Sequence, residues 1–139
     1  IDDLKLINDT MGHPEGDRAI SAVAARLKGH FRASDIVSRF GGDEFVVYLI
    51  GDVTELMAHR SFRRLSEEID SIRVGEGERT PVCASVGVAF GTVGRDSFGQ
   101  LCEHADAALY QVKQRGKHGY AIYEPAMERT VFGRQINEK

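Results

Sequence analysis

The sequence predicts an α+β fold, an α/β sandwich in which helices flank a mixed, mainly antiparallel central sheet. Two runs rich in β-branched and aromatic residues, 36–40 and 45–50, flank a Gly-Gly pair and predict a β-hairpin with a tight primed turn. Around this hairpin, stretches with the 3.6-residue period of amphipathic helices alternate with short strand-like runs. A hairpin within such an alternating pattern is typical of a mixed sheet covered by helices.

Four helices are predicted from this period and from capping residues, and they cover residues 4–11, 14–31, 54–72 and 97–115. Residues 82–90 alternate strictly and predict a long strand. One face of that strand carries only small residues, so we expect a helix to pack closely against it. Residues 120–123 predict a last short strand, and a polar tail follows.

Composition restricts the class of protein. The chain has 139 residues, 42% of them hydrophobic and 28% charged, which is ordinary for one globular domain. A net charge of −3 argues against a nucleic-acid-binding protein, and no apolar run is long enough to span a membrane. Cys83 and Cys102 lack metal-ligand spacing and are expected to be reduced core residues. We therefore expect a cytoplasmic protein with no nucleic-acid partner and no membrane segment in this chain.

Two acidic residues, Asp43 and Glu44, directly follow the Gly-Gly pair of the hairpin. Glycine leaves the backbone open to a ligand, and hard cations such as Mg²⁺ bind one or two carboxylates together with substrate phosphates. Taken alone, such a turn is more often a solvated loop.

A second polar cluster lies near the ends of the first two helices and contains Lys5, Asn8, Asp9, His13 and Asp17. An amide and a carboxylate together supply the donors and acceptors that read a purine edge. Helix N-termini and lysines favour phosphate. Taken alone, this cluster too is more often a polar helix face.

Four separated segments resemble the GGDEF domain, the catalytic domain of diguanylate cyclases, and they occur in that family's order. They are IDDLKLIND (1–9) with Gly-His at 12–13 and Gly-Asp at 16–17, RASD (32–35), RFGGDEF (39–45), and ADAALY (105–110) with Lys113 and Lys117. A lone Gly-Gly-Asp-Glu-Phe would be weak support, whereas four motifs in order are specific. The resemblance covers residues 1–123 and leaves 124–139 as a C-terminal tail.

The resemblance implies a ferredoxin-like topology similar to the palm of nucleotidyl cyclases. It also implies a reaction in which two GTP molecules condense into cyclic di-GMP and release two pyrophosphates. Mg²⁺ or Mn²⁺ is the expected cofactor. A homodimer is the expected assembly, because each protomer of the family holds one GTP and two sites face each other.

The family's roles transfer residue by residue. Asp43 becomes a metal ligand and the candidate general base, and Glu44 supports the metal site. The backbone carbonyl of Ile1 also faces the metal. Asn8 and Asp17 are expected to read guanine. The remaining expected substrate contacts are the phosphate-binding Lys5, Lys113 and Lys117, the backbone around Asp3 and Leu4, the glycines Gly41 and Gly42, and two residues with less defined roles, His13 and Arg39. Lys113 and Lys117 are predicted one helical turn apart.

Arg32 and Asp35 match the Arg-x-x-Asp product-inhibition site of the family. Arginine suits such a site because its guanidinium stacks on guanine and makes bidentate hydrogen bonds to phosphate. Arg63 is the expected secondary contact, with Arg64 as the alternative. The other interpretation of the pair is an arginine at a helix end beside an unrelated turn aspartate.

The sequence departs from the family pattern at its start. The family's first motif begins with a metal-binding aspartate that would precede Ile1, and a helix and a strand precede that aspartate. We therefore expect a piece of a longer bacterial protein, either cytoplasmic or membrane-anchored, with an upstream sensory or receiver domain. The parent is expected to make cyclic di-GMP, and this chain alone is expected to be weak or inactive. Leu4 and Lys117 replace the family's usual phenylalanine and arginine.

Two rival functions remain at this point. One is a binding module of the same family that binds GTP or cyclic di-GMP and regulates an attached domain without chemistry. The other is a ferredoxin-like structural or dimerisation domain. The intact polar clusters argue against both, since neither rival needs all of them.

Overall fold

The computed structural model describes residues 1–127, which form two compact units, Ile1–Ala84 and a second unit that begins at Ser85. Within this part of the chain, helices accompany three two-stranded sheets, so the predicted α+β class is confirmed. Two of the strand pairs are antiparallel and one is parallel, which agrees with the predicted mixed, mainly antiparallel pairing. The described strands form three ladders and no continuous central sheet, because none of them pairs on both edges.

The first unit opens with two helices, α1 (Leu4–Met11) and α2 (His13–His30), both close to the predicted bounds. Gly12 separates them with φ 93°, a conformation that L side chains rarely adopt, and its N–H donates to Asn8 O at 2.9 Å. Pro14 lies in the first turn of α2, where its missing N–H costs no helical hydrogen bond.

Helix α3 (Glu55–Asp70) begins as predicted at Thr54, whose side chain accepts the Met57 N–H at 3.2 Å. Its apolar stripe packs against the stripe of α2, because both stripes follow the helical period. The buried residues are Ala19, Val23 and Leu27 of α2 and Ala58, Phe62, Leu65 and Ile69 of α3. This stripe pair forms part of the apolar core of the first unit, which also contains buried residues of α1 and of the segment after α3.

A buried histidine joins the end of α2 to α3. The His30 side chain is 1% exposed, and its Nε2 lies 2.9 Å from Ser61 Oγ. Its Nδ1 lies 3.3 Å from Glu68 Oε2, but without hydrogen-bond geometry. The ring also packs edge-on against Phe31 at a centroid distance of 4.9 Å. The arrangement links the two helices through a polar contact beside their apolar core.

The predicted hairpin is present as β1 (Ile36–Arg39) and β2 (Phe45–Tyr48), paired antiparallel with Arg39 opposite Phe45. A second, two-residue ladder, β3 (Arg73–Val74) with β4 (Thr80–Pro81), was not expected from the sequence. Its connection contains a short 3₁₀ turn, Glu76–Glu78, where the sequence predicts only a flexible turn.

The long strand predicted at 82–90 is wrong in length, since β5 covers only Ser85–Val88. The backbone just before β5 bonds to other segments. Val82 N–H donates to Ile72 O at 3.0 Å, and Cys83 O accepts from Asp2 N–H at 2.9 Å. These isolated bonds do not extend the ladder that β5 makes.

The second unit consists of β5, α4 (Phe98–Gln114) and β6 (Gly119–Ile122), with β5 and β6 paired in parallel. Ser97 Oγ caps α4 by accepting the Gln100 N–H at 3.1 Å. Helix α4 covers the small face of β5 so closely that a Cβ at Gly87 would lie 2.1 Å from Ala105 O. The predicted close packing of a helix on this strand face is therefore confirmed.

Both cysteines are free and half-buried, so they lie at the edge of the packed interior and not at its centre. Burial raises the pKa of the Cys83 thiol, and the carboxylates of Asp70 and Asp2 act in the same direction. Of the predicted tail, Met127 packs against the core of the second unit, and residues 128–139 lie outside the described part of the chain. None of the helices described in residues 1–127 is both long and apolar enough to cross a membrane.

Candidate functional site

The loop between β1 and β2 carries the two acids singled out in the sequence. It spans residues 40–44 and is closed by a hydrogen bond from Phe40 N–H to Glu44 O at 2.8 Å. The predicted two-residue primed turn is therefore wrong, and neither Gly41 nor Gly42 has the positive φ that such a turn needs. A five-residue loop tolerates ordinary φ values, because its longer path reverses the chain more gradually.

Arg39 donates two hydrogen bonds to the backbone of this loop. Its Nε donates to Gly41 O at 3.1 Å, and its Nη2 donates to Gly42 O at 2.9 Å. The fork of the guanidinium matches two adjacent carbonyls, which fixes the loop backbone. Arg39 thus has a structural partner in addition to the predicted substrate role. A Cβ at Gly42 would meet no atom within 4 Å, so this part of the loop is open to a ligand.

Asp43 and Glu44 are exposed, and the start of the chain lies beside them. The main-chain nitrogen of Ile1 donates to the main-chain carbonyl of Asp43 at 2.7 Å, so two of the three predicted metal-site residues are joined through their backbones. The donor set consists of carboxylate and carbonyl oxygens only. Such hard ligands fit Mg²⁺ or Mn²⁺, which take few protein ligands and complete their shells with water and phosphate.

The second polar cluster lies along the contact between α1 and α2. Lys5 and Asn8 are three residues apart and share one face of α1. Asn8 lies directly against Gly16 of α2, and Asp17 is the next residue of α2. The structure therefore places the predicted amide at the helix–helix contact, while Asp17 is exposed on the next position of α2. His13 is exposed at the first position of α2.

Glu15 anchors the first turn of α2, which carries these residues. Its Oε2 accepts the Gly75 N–H at 2.8 Å, and Arg18 Nη1 lies 3.4 Å from the same oxygen. The Gly75 N–H holds the pKa of Glu15 below its ordinary value, and Arg18 adds to this against the opposing effect of desolvation. The carboxylate is therefore ionised at neutral pH, and the turn is tied to the segment after β3.

Lys113 and Lys117 belong to the second unit, and both are exposed. The prediction that they lie one helical turn apart is wrong, because α4 ends at Gln114 and Lys117 has φ 67°. Gly116, with φ 104°, reverses the chain, and Lys117 N–H donates back to Val112 O at 3.0 Å. This glycine-based helix end places Lys117 in the turn after α4.

The predicted inhibitory pair forms a tight turn before β1. Asp35 Oδ2 accepts the Arg32 N–H at 2.8 Å, and Asp35 Oδ1 lies 3.4 Å from Arg32 Nη2. Arg32 Nη2 also donates to Ile50 O at 2.9 Å. The Arg32 side chain is nevertheless 65% exposed, while that of Asp35 is 3% exposed. Arg63 is exposed on α3, as its predicted role requires.

One residue of this cluster was missed in the sequence. Gly16 is buried between α1 and α2, and it is quoted in the Gly-Asp motif at 16–17 without a role. A glycine in the first turns of a helix, four residues after Gly12, was the available signal. Helix propensity disfavours glycine there, so its presence indicates a close approach.

Comparison with known proteins places this geometry in a family. The model of the family described as "Diguanylate cyclase, GGDEF domain" matches residues 1–119. The chain belongs to the GGDEF family. The probable diguanylate cyclase DgcC of Escherichia coli K12 is 37% identical to this GGDEF chain over 118 residues, which are 85% of this chain and 32% of DgcC.

Other relatives of this GGDEF chain carry different names. The bifunctional diguanylate cyclase/cyclic di-GMP phosphodiesterase MucR of Pseudomonas aeruginosa is 33% identical over 91% of this chain and 18% of MucR. The cyclic di-GMP phosphodiesterase NbdA of the same organism is 34% identical over 88% of this chain and 16% of NbdA. This GGDEF chain thus spans about a third or less of the curated relatives it matches.

Solved GGDEF structures share the fold. The GGDEF domain of YfiN (TpbB) from Pseudomonas aeruginosa superposes with a TM-score of 0.80 at 31% identity, covering 88% of this chain and 77% of that chain. The GGDEF domain of DgcB from Caulobacter crescentus, solved in complex with c-di-GMP, gives a TM-score of 0.72 at 27% identity, covering 88% and 72%. The predicted resemblance and the predicted fold class are therefore confirmed.

Proposed function

We propose that this chain is the catalytic domain of a diguanylate cyclase, which condenses two GTP into cyclic di-GMP and releases two pyrophosphates. The observation that carries the proposal is the open loop between β1 and β2, where exposed Asp43 and Glu44 follow an unobstructed Gly42. Asn8 of α1 and Asp17 of α2 lie in the same unit and are the groups proposed to read guanine.

The protein's residues act mainly by binding and orienting GTP. Asn8 and Asp17 hold the guanine edge by hydrogen bonds, and Lys5 with the N-terminal backbone of α1 binds the β- and γ-phosphates. Gly41 and Gly42 admit the nucleotide close to the backbone. Lys113 and Lys117 carry the positive charge that suits phosphate binding. Asp43 takes the proton of the 3′-hydroxyl.

The reaction forms one bond and breaks one bond at each α-phosphorus. The 3′-oxygen of one GTP bonds to the α-phosphorus of the other, and the bond to the bridging oxygen breaks, so pyrophosphate leaves with both electrons. When bound at Asp43, Glu44 and the Ile1 carbonyl, Mg²⁺ or Mn²⁺ neutralises phosphate charge. Two such bonds close the ring, which requires the two GTP sites of a homodimer to face each other.

Incubation with GTP and Mg²⁺, followed by chromatography for cyclic di-GMP, tests the proposal. The samples are this chain and any longer protein that contains it. Cyclic di-GMP in the longer protein supports the cyclase. GTP binding without product in both samples contradicts it and supports the binding module.

The second candidate is that binding module, a domain that binds GTP or cyclic di-GMP and regulates an attached domain. The observation that favours it is the relative NbdA, whose name is that of a phosphodiesterase although it matches this chain. Family membership alone therefore does not assign the cyclase activity, and the assay above separates the two.

We further propose product inhibition at Arg32 and Asp35, with Arg63 as the secondary contact. The exposed guanidinium of Arg32 is available for stacking on guanine, while the buried Asp35 carboxylate orients it. The complex of the Caulobacter crescentus DgcB GGDEF domain with c-di-GMP supports the choice of ligand. Arg63 lies on the exposed face of α3 in the same unit.

Arg32→Ala is expected to abolish binding of cyclic di-GMP, seen as a loss of affinity of about 100-fold or more by isothermal titration calorimetry. The stacking surface is lost, but the backbone N–H that donates to Asp35 remains. Arg26→Ala removes an exposed arginine from α2 and serves as the control, with unchanged affinity. Equal affinities of the wild type and Arg32→Ala for cyclic di-GMP would contradict the proposed inhibitory site.

A further inference from the structure

Gly16 lies where α1 and α2 meet, and its missing side chain leaves room for the side chain of Asn8. A Cβ at position 16 would lie 1.7 Å from Asn8 Oδ1 and 2.8 Å from Asn8 Cγ. Both distances are far below the separation that non-bonded heavy atoms keep. The Asn8 carboxamide therefore occupies the space that any other residue at position 16 would fill.

We infer that Gly16 is a positioning residue that fixes the Asn8 carboxamide in the orientation that reads guanine, and that it thereby sets the preference for GTP over ATP. This inference rests on the proposed function, because it takes Asn8 as a guanine contact. Gly16 itself touches no nucleotide in this proposal. It acts only through Asn8.

The orientation of a carboxamide matters because its two ends differ. The oxygen accepts hydrogen bonds and the nitrogen donates them, so a rotated amide presents the wrong partner to a base edge. A site built to pair with a base discriminates most strongly when a mismatch leaves polar groups unpaired. The space left by the missing side chain of Gly16, the notch, holds the amide in one position.

The clash at position 16 differs from those at other glycines. The crowded atoms are the end of the flexible Asn8 side chain, whereas at Gly87 they are backbone atoms. Gly16→Ala is thus accommodated when Asn8 rotates out of the notch, and alanine also has the higher helix propensity. Among the glycines of residues 1–127, only Gly16 has a contact under 3.0 Å with a predicted substrate-binding side chain.

Calorimetric titration of the full chain with GTP and with ATP, both in Mg²⁺, tests the inference. Gly16→Ala is expected to lower the preference for GTP over ATP about tenfold, which corresponds to one lost hydrogen bond to the base. Asn8→Ala is expected to lower it equally, and the double variant is expected to lower it no further. Such non-additivity is the sign of one residue acting through another.

Gly29→Ala is the matched control, because Gly29 is on the same helix and a Cβ there meets nothing within 4 Å. Its preference for GTP is expected to be unchanged. The side-chain amide resonances of Asn8, recorded by ¹⁵N–¹H NMR without nucleotide, are expected to shift in Gly16→Ala and to stay in place in Gly29→Ala. This readout reports the Asn8 orientation independently of any reaction.

Distinct outcomes overturn the inference. If the wild type prefers GTP and Gly16→Ala keeps that preference, the inference fails and the proposed function stands. If the wild type shows no preference, the proposed guanine site fails and the inference fails with it. If Gly16→Ala lowers Tm, the double variant with Asn8→Ala, which removes the clash, is expected to restore it. A double variant that remains unstable contradicts the contact on which the inference is built.

Discussion

Asp43→Asn is expected to reduce cyclic di-GMP formation by about 1000-fold, because the amide carries no charge for the metal and accepts no proton from the 3′-hydroxyl. Asp43 is exposed on the loop between β1 and β2, so the exchange removes no buried contact and leaves the fold intact. The measurement is the initial rate of product formation at saturating GTP and Mg²⁺, in whichever protein containing this chain gives turnover.

Asp52→Asn provides the matched control for Asp43→Asn. Asp52 is also an exposed aspartate and follows β2 at the other end of the hairpin, but no role in the reaction is proposed for it. Its rate is expected to equal that of the wild type. A rate for Asp43→Asn above a tenth of the wild-type value contradicts the assignment of Asp43 as both metal ligand and base.

Gly87→Ala is expected to destabilise the second unit by about 3 kcal/mol or more. A Cβ there would lie 2.1 Å from Ala105 O and 2.5 Å from Leu109 N, and neither backbone atom of α4 can rotate away. The helix must then shift off β5, which opens the packing of the small strand face. Urea denaturation followed by circular dichroism measures the loss.

The control for this prediction is Gly99→Ala, also a glycine-to-alanine exchange but within α4. A Cβ at Gly99 meets nothing within 4 Å, so this variant is expected to be as stable as the wild type or slightly more stable. A free energy of unfolding for Gly87→Ala within about 1 kcal/mol of the wild type contradicts the close packing of α4 on β5.

The helices and the hairpin were predictable because their signals are local. Apolar spacing, the caps at Thr54 and Ser97 and the glycine after α1 all act within a few residues of the element they define. Strand lengths were less predictable because a ladder depends on a partner far along the chain. Residues 82–83 have strand-like alternation, but their backbone bonds go to Ile72 and Asp2.

The family was predictable from the four motifs and their order, while the roles of the site residues remain predictions. The structure places Asn8 against Gly16, the residue before Asp17, and joins Ile1 to Asp43 through the backbone. Local backbone geometry was the part that the sequence did not reveal. The glycines of the hairpin loop do not adopt positive φ, and Lys117 follows a helix end that depends on Gly116. Sequence motifs show which chemical groups are present. The conformations of these two loops depend on the hydrogen bonds that Arg39 and Gly116 make, which the motifs do not reveal.

The hydrogen bond from Arg32 to Ile50 connects the proposed inhibitory site to the base of the hairpin. Arg32 Nη2 donates to the carbonyl just beyond β2, while Asp43 lies at the opposite end of the same hairpin. A ligand bound to the Arg32 guanidinium at the proposed inhibitory site would compete with this hydrogen bond. The proposed inhibitory site and the acidic loop therefore lie at opposite ends of one two-stranded element.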